Sequence, residues 1–188
     1  TIPTSYLRLV PHQAAASNIC WGDRNRSVLV RVPLGWLNAG HMISDANPQD
    51  TFIDNSIDSK QTVEIRSPDG SADLYHLFAG LVMAAQHGLE MPNALQVAKD
   101  LYVDVNIFQE EHKEKLNELE HLPESCEESA DILEAYRQHF EKEGIFPKST
   151  IDNFIRVLKS YRDKELSEKL YGNTEAIRKL VYKYLHHM

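Results

Sequence analysis

Trp21-Gly22-Asp23-Arg24-Asn25-Arg26-Ser27-Val28-Leu29-Val30-Arg31 is the stretch around which the chain is organised. Read at strand period, with Val32 added, it places Val28, Val30 and Val32 on one face and Ser27, Leu29 and Arg31 on the other. A second run, Val63-Glu64-Ile65-Arg66, sorts the same way, with Val63 and Ile65 on one face and Glu64 and Arg66 on the other. Placed in one sheet, the two strands give an apolar side that builds a core and a polar side that gathers Arg31, Glu64 and Arg66. The polar side is where a site is expected.

Outward from this stretch, residues 5–33 read as two or three short strands, with the small-residue loop His12-Gln13-Ala14-Ala15-Ala16-Ser17 between the first two. Residues 34–60 carry Gly35, Gly40, Pro48 and scattered Asp and Asn without a sustained period, the signature of a long functional or mobile excursion. After residue 70 the period changes. Ser71 is expected to cap a helix with Leu74, Leu77, Phe78, Leu81 and Ala85 on one side, ended by Gly88 and Pro92. A helix or helix pair follows over 93–119, its Glu/Lys-rich second half a solvated face. Ser125 and Glu128 form a capping box for a helix that Gly144 closes, and Ser149 opens another with Ile151, Phe154, Ile155 and Leu158 along one side. A last helix over 173–186 shows the stripe Ile177, Leu180, Val181, Tyr184 and Leu185. The expected class is α+β: a few antiparallel strands within 1–70, part of a larger sheet, then a mainly helical half over 71–188.

The chain has 188 residues, of which 42% are hydrophobic, enough for a substantial core. It begins at Thr1 without an initiator Met and reads as an excised segment. Cys20 and Cys126, far apart and without ligand-like spacing, point to a reducing compartment, the cytoplasm, rather than to a disulfide framework. No apolar run approaches the roughly 20 residues of a membrane span. A net charge of −8 disfavours nucleic acid as a partner. Up to residue 70 the basic residues are Arg8, Arg24, Arg26, Arg31, Lys60 and Arg66, nearly all arginine, whereas lysine predominates afterwards. Arginine's planar fork matches carboxylate and phosphate oxygens two at a time, so the first third is suited to small anions.

Three motifs carry a family resemblance: Ser5-Tyr6-Leu7-Arg8-Leu9-Val10-Pro11, then Arg24-Asn25-Arg26-Ser27 through Arg31-Val32-Pro33, then Glu64-Ile65-Arg66-Ser67-Pro68-Asp69. In this order they resemble the C-terminal part of the glutamine synthetase catalytic domain, and the similarity extends weakly to about residue 165. The resemblance implies an ATP- and Mg2+- or Mn2+-dependent ligase that makes an acyl phosphate on the γ-carboxylate of glutamate, which ammonia then displaces, in a ring-shaped homo-oligomer. It implies that Arg8 holds the substrate α-carboxylate and that Arg26 stabilises the transferring phosphoryl group. It further implies that Arg31 faces the nucleotide phosphates, that Glu64 is a metal ligand on the ATP side, and that Arg66 lies near the reacting γ-carboxyl group.

The departures are also specific. Ala14 stands where the family's loop glutamate binds ammonium, Gln61 and Thr62 stand where a phosphate-binding arginine is common, and the 34–60 excursion is long. Ala14 brings in a γ-glutamyl ligase for another amine as an alternative, and a non-catalytic binding or assembly module is a third reading. Lys99-Asp100-Leu101-Tyr102 resembles the segment around a tyrosine that some family members modify, against which ordinary packing of Tyr102 is the simpler expectation. Trp21 is expected to pack rather than touch substrate. One glutamate does not hold a divalent ion, so the segment alone is expected to be inactive.

Overall fold

The computed structural model describes residues 1–8, 16–33, 46–49 and 62–186. Ala14, Gln61 and nearly all of the 34–60 excursion lie outside the described residues. The chain divides into two compact units, one of residues 16–67 and 98–120, the other of residues 1–15, 68–97 and 121–188.

The first unit holds the sheet: β1 (Trp21–Asp23), β2 (Val30–Val32) and β3 (Glu64–Ile65), in the order β1-β2-β3. The fold is α+β, but the sheet is mixed. The expected antiparallel pairing holds for β2 and β3, whereas β1 and β2 are parallel, with Trp21 opposite Val30 and Asp23 opposite Val32. The reason lies in the intervening Arg-Asn-Arg-Ser segment, which does not close a hairpin. Asn25 instead donates from Nδ2 to the carbonyls of Val103 (3.1 Å) and Val105 (2.8 Å), carrying the chain back to the start of the sheet before β2 begins.

This detour also breaks the expected alternation. Ser27, Val28 and Leu29 are all buried, because they precede the strand rather than belong to it. Val28 packs with Cys20, Val103, Ile107 and Leu119, and these residues form the unit's core. The apolar face expected on β3 does not contribute: Val63 is 64% and Ile65 40% exposed. The expected helix pair over 93–119 shrinks to α2 (Ala94–Asp100), a 3-10 turn at Glu110–His112 and α3 (Lys113–Glu118). The residues between are taken by the sheet, since the Val103 N–H bonds to Trp21 O at 2.8 Å and Val103 and Ile107 are fully buried.

The second unit is helical. Its first element, Pro3–Arg8, is a 3-10 turn where a strand was expected. Tyr6 explains it: the ring is buried and its hydroxyl hydrogen-bonds Ser129 Oγ at 2.6 Å, a contact that fixes the turn against a helix far along the chain. Helix α1 (Leu74–Glu90) is capped by Asp73, whose Oδ1 accepts from the N–H groups of Tyr75 and His76 at 3.0 and 3.1 Å. Ser71, the expected cap, instead gives its N–H and hydroxyl to Asp69 Oδ1 at 2.9 and 2.6 Å. Partial burial pushes the Asp69 carboxyl up, but the Ser5 and Ser71 hydroxyls and the Ser71 N–H outweigh it and hold the group below its ordinary range.

Helix α4 (Cys126–Glu141) opens on the expected box: Ser125 Oγ accepts from Glu128 N–H at 3.1 Å, and the Glu128 carboxylate accepts from Glu124 N–H, one residue before the cap, at 2.9 Å. Gly144 then takes φ +71°, the left-handed conformation that ends the segment. Helix α5 (Lys148–Ser160) follows, with Ser149 inside it rather than at its cap. Ile151 and Ile155 are buried with Met83, Ala130 and Phe146, and Phe154 and Leu158 pack beside them, as their spacing predicts. The short α6 (Leu166–Leu170) is an addition, and α7 (Thr174–Tyr184) is capped by Asn173, whose Oδ1 accepts from Ala176 N–H at 3.0 Å. Both α6 and α7 pack on the Pro3–Arg8 turn. Among the described residues no helix is long and apolar enough to cross a membrane.

Candidate active site

The antiparallel register sets Arg31 directly opposite Glu64. Directly opposed residues in an antiparallel pair lie on the same face with their Cβ atoms about 5 Å apart, so the two side chains meet. Arg31 Nη2 is ion-paired to Glu64 Oε2, and Arg66 Nε lies 3.5 Å from Glu64 Oε1. One carboxylate is therefore shared by two guanidinium groups. Arg66 is itself tied to the Arg-Asn-Arg-Ser segment: its N–H bonds to Leu29 O at 3.1 Å, and Nη1 donates to the carbonyls of Arg26 and, at 3.3 Å, Val28. Arg31, Glu64 and Arg66 have side chains 22%, 39% and 29% exposed, half-sunk groups open to an incoming ligand.

Arg31 Nε is buried and has no hydrogen-bond partner among the described residues. A buried guanidinium N–H without an acceptor is costly, and an anion oxygen would satisfy it. Arg26 is exposed, and its carbonyl anchors Arg66 while its side chain stays in solvent. Four of the five sequence-selected residues, Arg26, Arg31, Glu64 and Arg66, thus gather in the strand unit. Arg8 closes the 3-10 turn of the helical unit.

Similarity to known proteins agrees with this half-sunk cationic face. The family model described as glutamine synthetase, catalytic domain, matches residues 1–170. The chain belongs to the glutamine synthetase catalytic-domain family. It is similar to a protein named glutamine synthetase from Pyrococcus horikoshii, 32% identical over 174 residues that make up 90% of this chain and 32% of that protein. A glutamine synthetase from Pyrococcus abyssi is 31% identical over 94% of this chain and 35% of its own length, and one from Streptomyces filamentosus 31% identical over 82% and 28%. The chain spans about a third of the length of these relatives.

Within this family segment, the described residues do not by themselves fit a divalent ion. They contain no group of three or more His, Cys, Asp or Glu side chains able to hold one, and Glu64 offers a single carboxylate already shared by two arginines. Magnesium and manganese want several hard oxygen donors. The unsatisfied Arg31 Nε is suited instead to a phosphate oxygen.

Sequence reasoning singled out the charged members of the Arg-Asn-Arg-Ser motif and missed the two residues that shape it. Asn25 Oδ1 accepts from the Ser27 N–H and hydroxyl at 2.9 and 2.7 Å while its amide holds Val103 and Val105, so Asn25 and Ser27 set the loop that presents Arg26. Their alternation with the arginines was the available signal. Trp21 packs as expected, donating from Nε1 to Ala98 O at 2.6 Å with its ring 4.9 Å from that of Tyr102.

Gly22 is a third omission. A Cβ there would stand 2.3 Å from the Val103 carbonyl oxygen. Gly22→Ala is expected to part β1 from the 103–107 segment and to destabilise the protein by about 1–3 kcal/mol. The midpoint of urea unfolding checks this.

Proposed function

We propose that the whole protein is an ATP-dependent glutamate–ammonia ligase that forms glutamine through γ-glutamyl phosphate, and that this segment supplies one side of its active site but is inactive alone. The observation that carries this reading is the Arg31–Glu64–Arg66 cluster with its unsatisfied Arg31 Nε, a preorganised cationic face within a family of that name. Phosphoryl transfer asks chiefly for positioning and for positive charge around the travelling group.

In this reading Arg8 binds the glutamate α-carboxylate and Arg66 orients the γ-carboxyl group that accepts phosphate. Arg26, with its side chain free in solvent, closes on the transferring phosphoryl group, and Arg31 takes a nucleotide phosphate oxygen on the N–H that now lacks an acceptor. Glu64 serves twice, holding both arginines in register and acting as one oxygen donor to Mg2+ or Mn2+; the remaining donors are not among the described residues. The protein works as a ring-shaped homo-oligomer in the cytoplasm, and the two buried thiols, Cys20 and Cys126, neither of them in a disulfide, suit that reducing compartment.

Glu64→Ala in the full-length protein is expected to lower ATP-dependent phosphate release at least a hundredfold in the presence of glutamate and ammonium. Undiminished release would overturn the role given to Glu64. Ala14, in the place of the ammonium-binding glutamate, favours one second reading, a γ-glutamyl ligase for a larger amine. Amide formation assayed with ammonium against a series of alkyl amines decides between the two, and a preference for the larger amines would sink the first.

A further inference from the structure

A cavity of about 410 Å³ lies between α1 and α4 in the helical unit, walled by Met83, Ile132, Leu133 and Phe140. Its volume is that of a small-ligand pocket, and its walls are apolar. His87 from α1 and His139 from α4 stand at one side with their rings edge to face, 4.8 Å between centroids. The same two histidines, with Met83, also line a neighbouring depression of about 30 Å³ whose other walls include Gln86, Glu90, Lys142 and Glu143. The apolar cavity and the polar depression therefore share a boundary made of Met83 and two imidazoles.

The charges at the polar end are unevenly matched. Glu90 is satisfied by Lys142 Nζ at 3.0 Å and by Gln86 Nε2 at 2.8 Å. Glu143 makes no hydrogen bond or ion pair among the described residues, its charge reaching Lys142 only through space, and it is held at φ +59°, a left-handed conformation that non-glycine residues seldom adopt. Two carboxylates against one ammonium leave one negative charge beside the imidazoles, each of which in its neutral form has a nitrogen lone pair to accept with. An anionic head group would meet the unpaired Glu143 and be repelled, whereas a cationic one would complete it. A depression of 30 Å³ has room for a group of water or ammonium size.

We propose that this is a binding site for a small amphipathic primary amine, its apolar body in the cavity between α1 and α4 and its ammonium group at Glu143, His87 and His139. The site lies wholly in the helical unit and involves none of the residues assigned to the ligase reaction, so it stands whether or not the ligase reading does.

The test is calorimetric titration of the full-length protein with three probes of one shape: 4-phenylbutylamine, the neutral 4-phenylbutanol and the anionic 4-phenylbutyrate. Saturable binding of the amine is expected, about tenfold weaker binding of the alcohol, and none of the acid. Glu143→Gln should bring the amine to the level of the alcohol. Ile132→Trp should abolish binding of both by filling the cavity, and because Ile132 is 45% exposed the larger side chain does not require the core to repack. Saturating glutamate and ATP should leave amine binding intact. Equal binding of amine and acid, unchanged amine binding in Ile132→Trp, or displacement of the amine by glutamate and ATP would each overturn the proposal.

Discussion

Arg66→Ala in the full-length protein is expected to lower kcat/KM for ATP-dependent amide formation by about 10²–10³-fold, the scale seen when one preorganised donor to a developing charge is removed. The structure gives Arg66 more to do than carry charge. Its Nε approaches Glu64, its Nη1 bridges the carbonyls of Arg26 and Val28, and its backbone N–H closes the sheet onto Leu29. Removing the side chain frees one oxygen of Glu64, leaves the Arg26 carbonyl without this donor and loosens the loop that presents Arg26, so glutamate KM and kcat should change together. Arg66→Lys should recover little: an ammonium is a point donor and cannot hold a carboxylate and two carbonyls from one planar fork. Steady-state kinetics of both variants, with circular dichroism showing unchanged secondary structure, check this. A lysine variant of near-normal activity would show that charge alone suffices and would remove the geometric part of the argument.

The polar side of this site was legible from sequence because its geometry depends on one local rule. Arg31 and Glu64 each follow strand alternation over a few residues, and once β2 and β3 pair, alternation is enough to bring them face to face. The same rule failed at Ser27, Val28 and Leu29, because alternation holds only where the backbone is extended, and Asn25 has bonded that segment to residues 103 and 105. Such a bond joins positions nearly eighty residues apart and leaves no periodic trace. The Pro3–Arg8 turn was missed for a related reason: the local pattern of Ser5-Tyr6-Leu7-Arg8 suits a strand, and the partner that decides against it is Ser129. Helices α4 and α7, by contrast, announce themselves through their own caps and apolar spacing and α5 through its apolar spacing alone, and their boundaries fell within a few residues of those read from sequence. What was legible was whatever is settled within one or two turns of chain.

Asp163 belongs to the illegible class, and it carries the largest stability effect expected in the helical unit. It follows α5, is 4% exposed, and accepts from the N–H groups of Cys126 and Glu127 at 3.0 and 3.2 Å, so it caps the first turn of α4 from 36 or 37 residues away. Ser125 satisfies only the Glu128 N–H, and the helix start would otherwise leave two donors without acceptors, Cys126 among them fully buried. Asp163→Ala is expected to cost about 3 kcal/mol, roughly 1–3 kcal/mol for each stranded donor with some relief from entering water. Asp163→Asn should cost less, since one amide oxygen still accepts. The two cysteines report whether the loss is local. Burial and the Asp163 charge together push the Cys126 thiol far up, which makes it unreactive in the closed state, so its labelling measures opening of the α4 start. Cys20 lies buried in the other unit. In Asp163→Ala, labelling of Cys126 followed by mass spectrometry should accelerate about a hundredfold while Cys20 stays slow. Equal acceleration of both thiols would mean that the substitution opens the whole molecule, and that the contact holds more than a helix end.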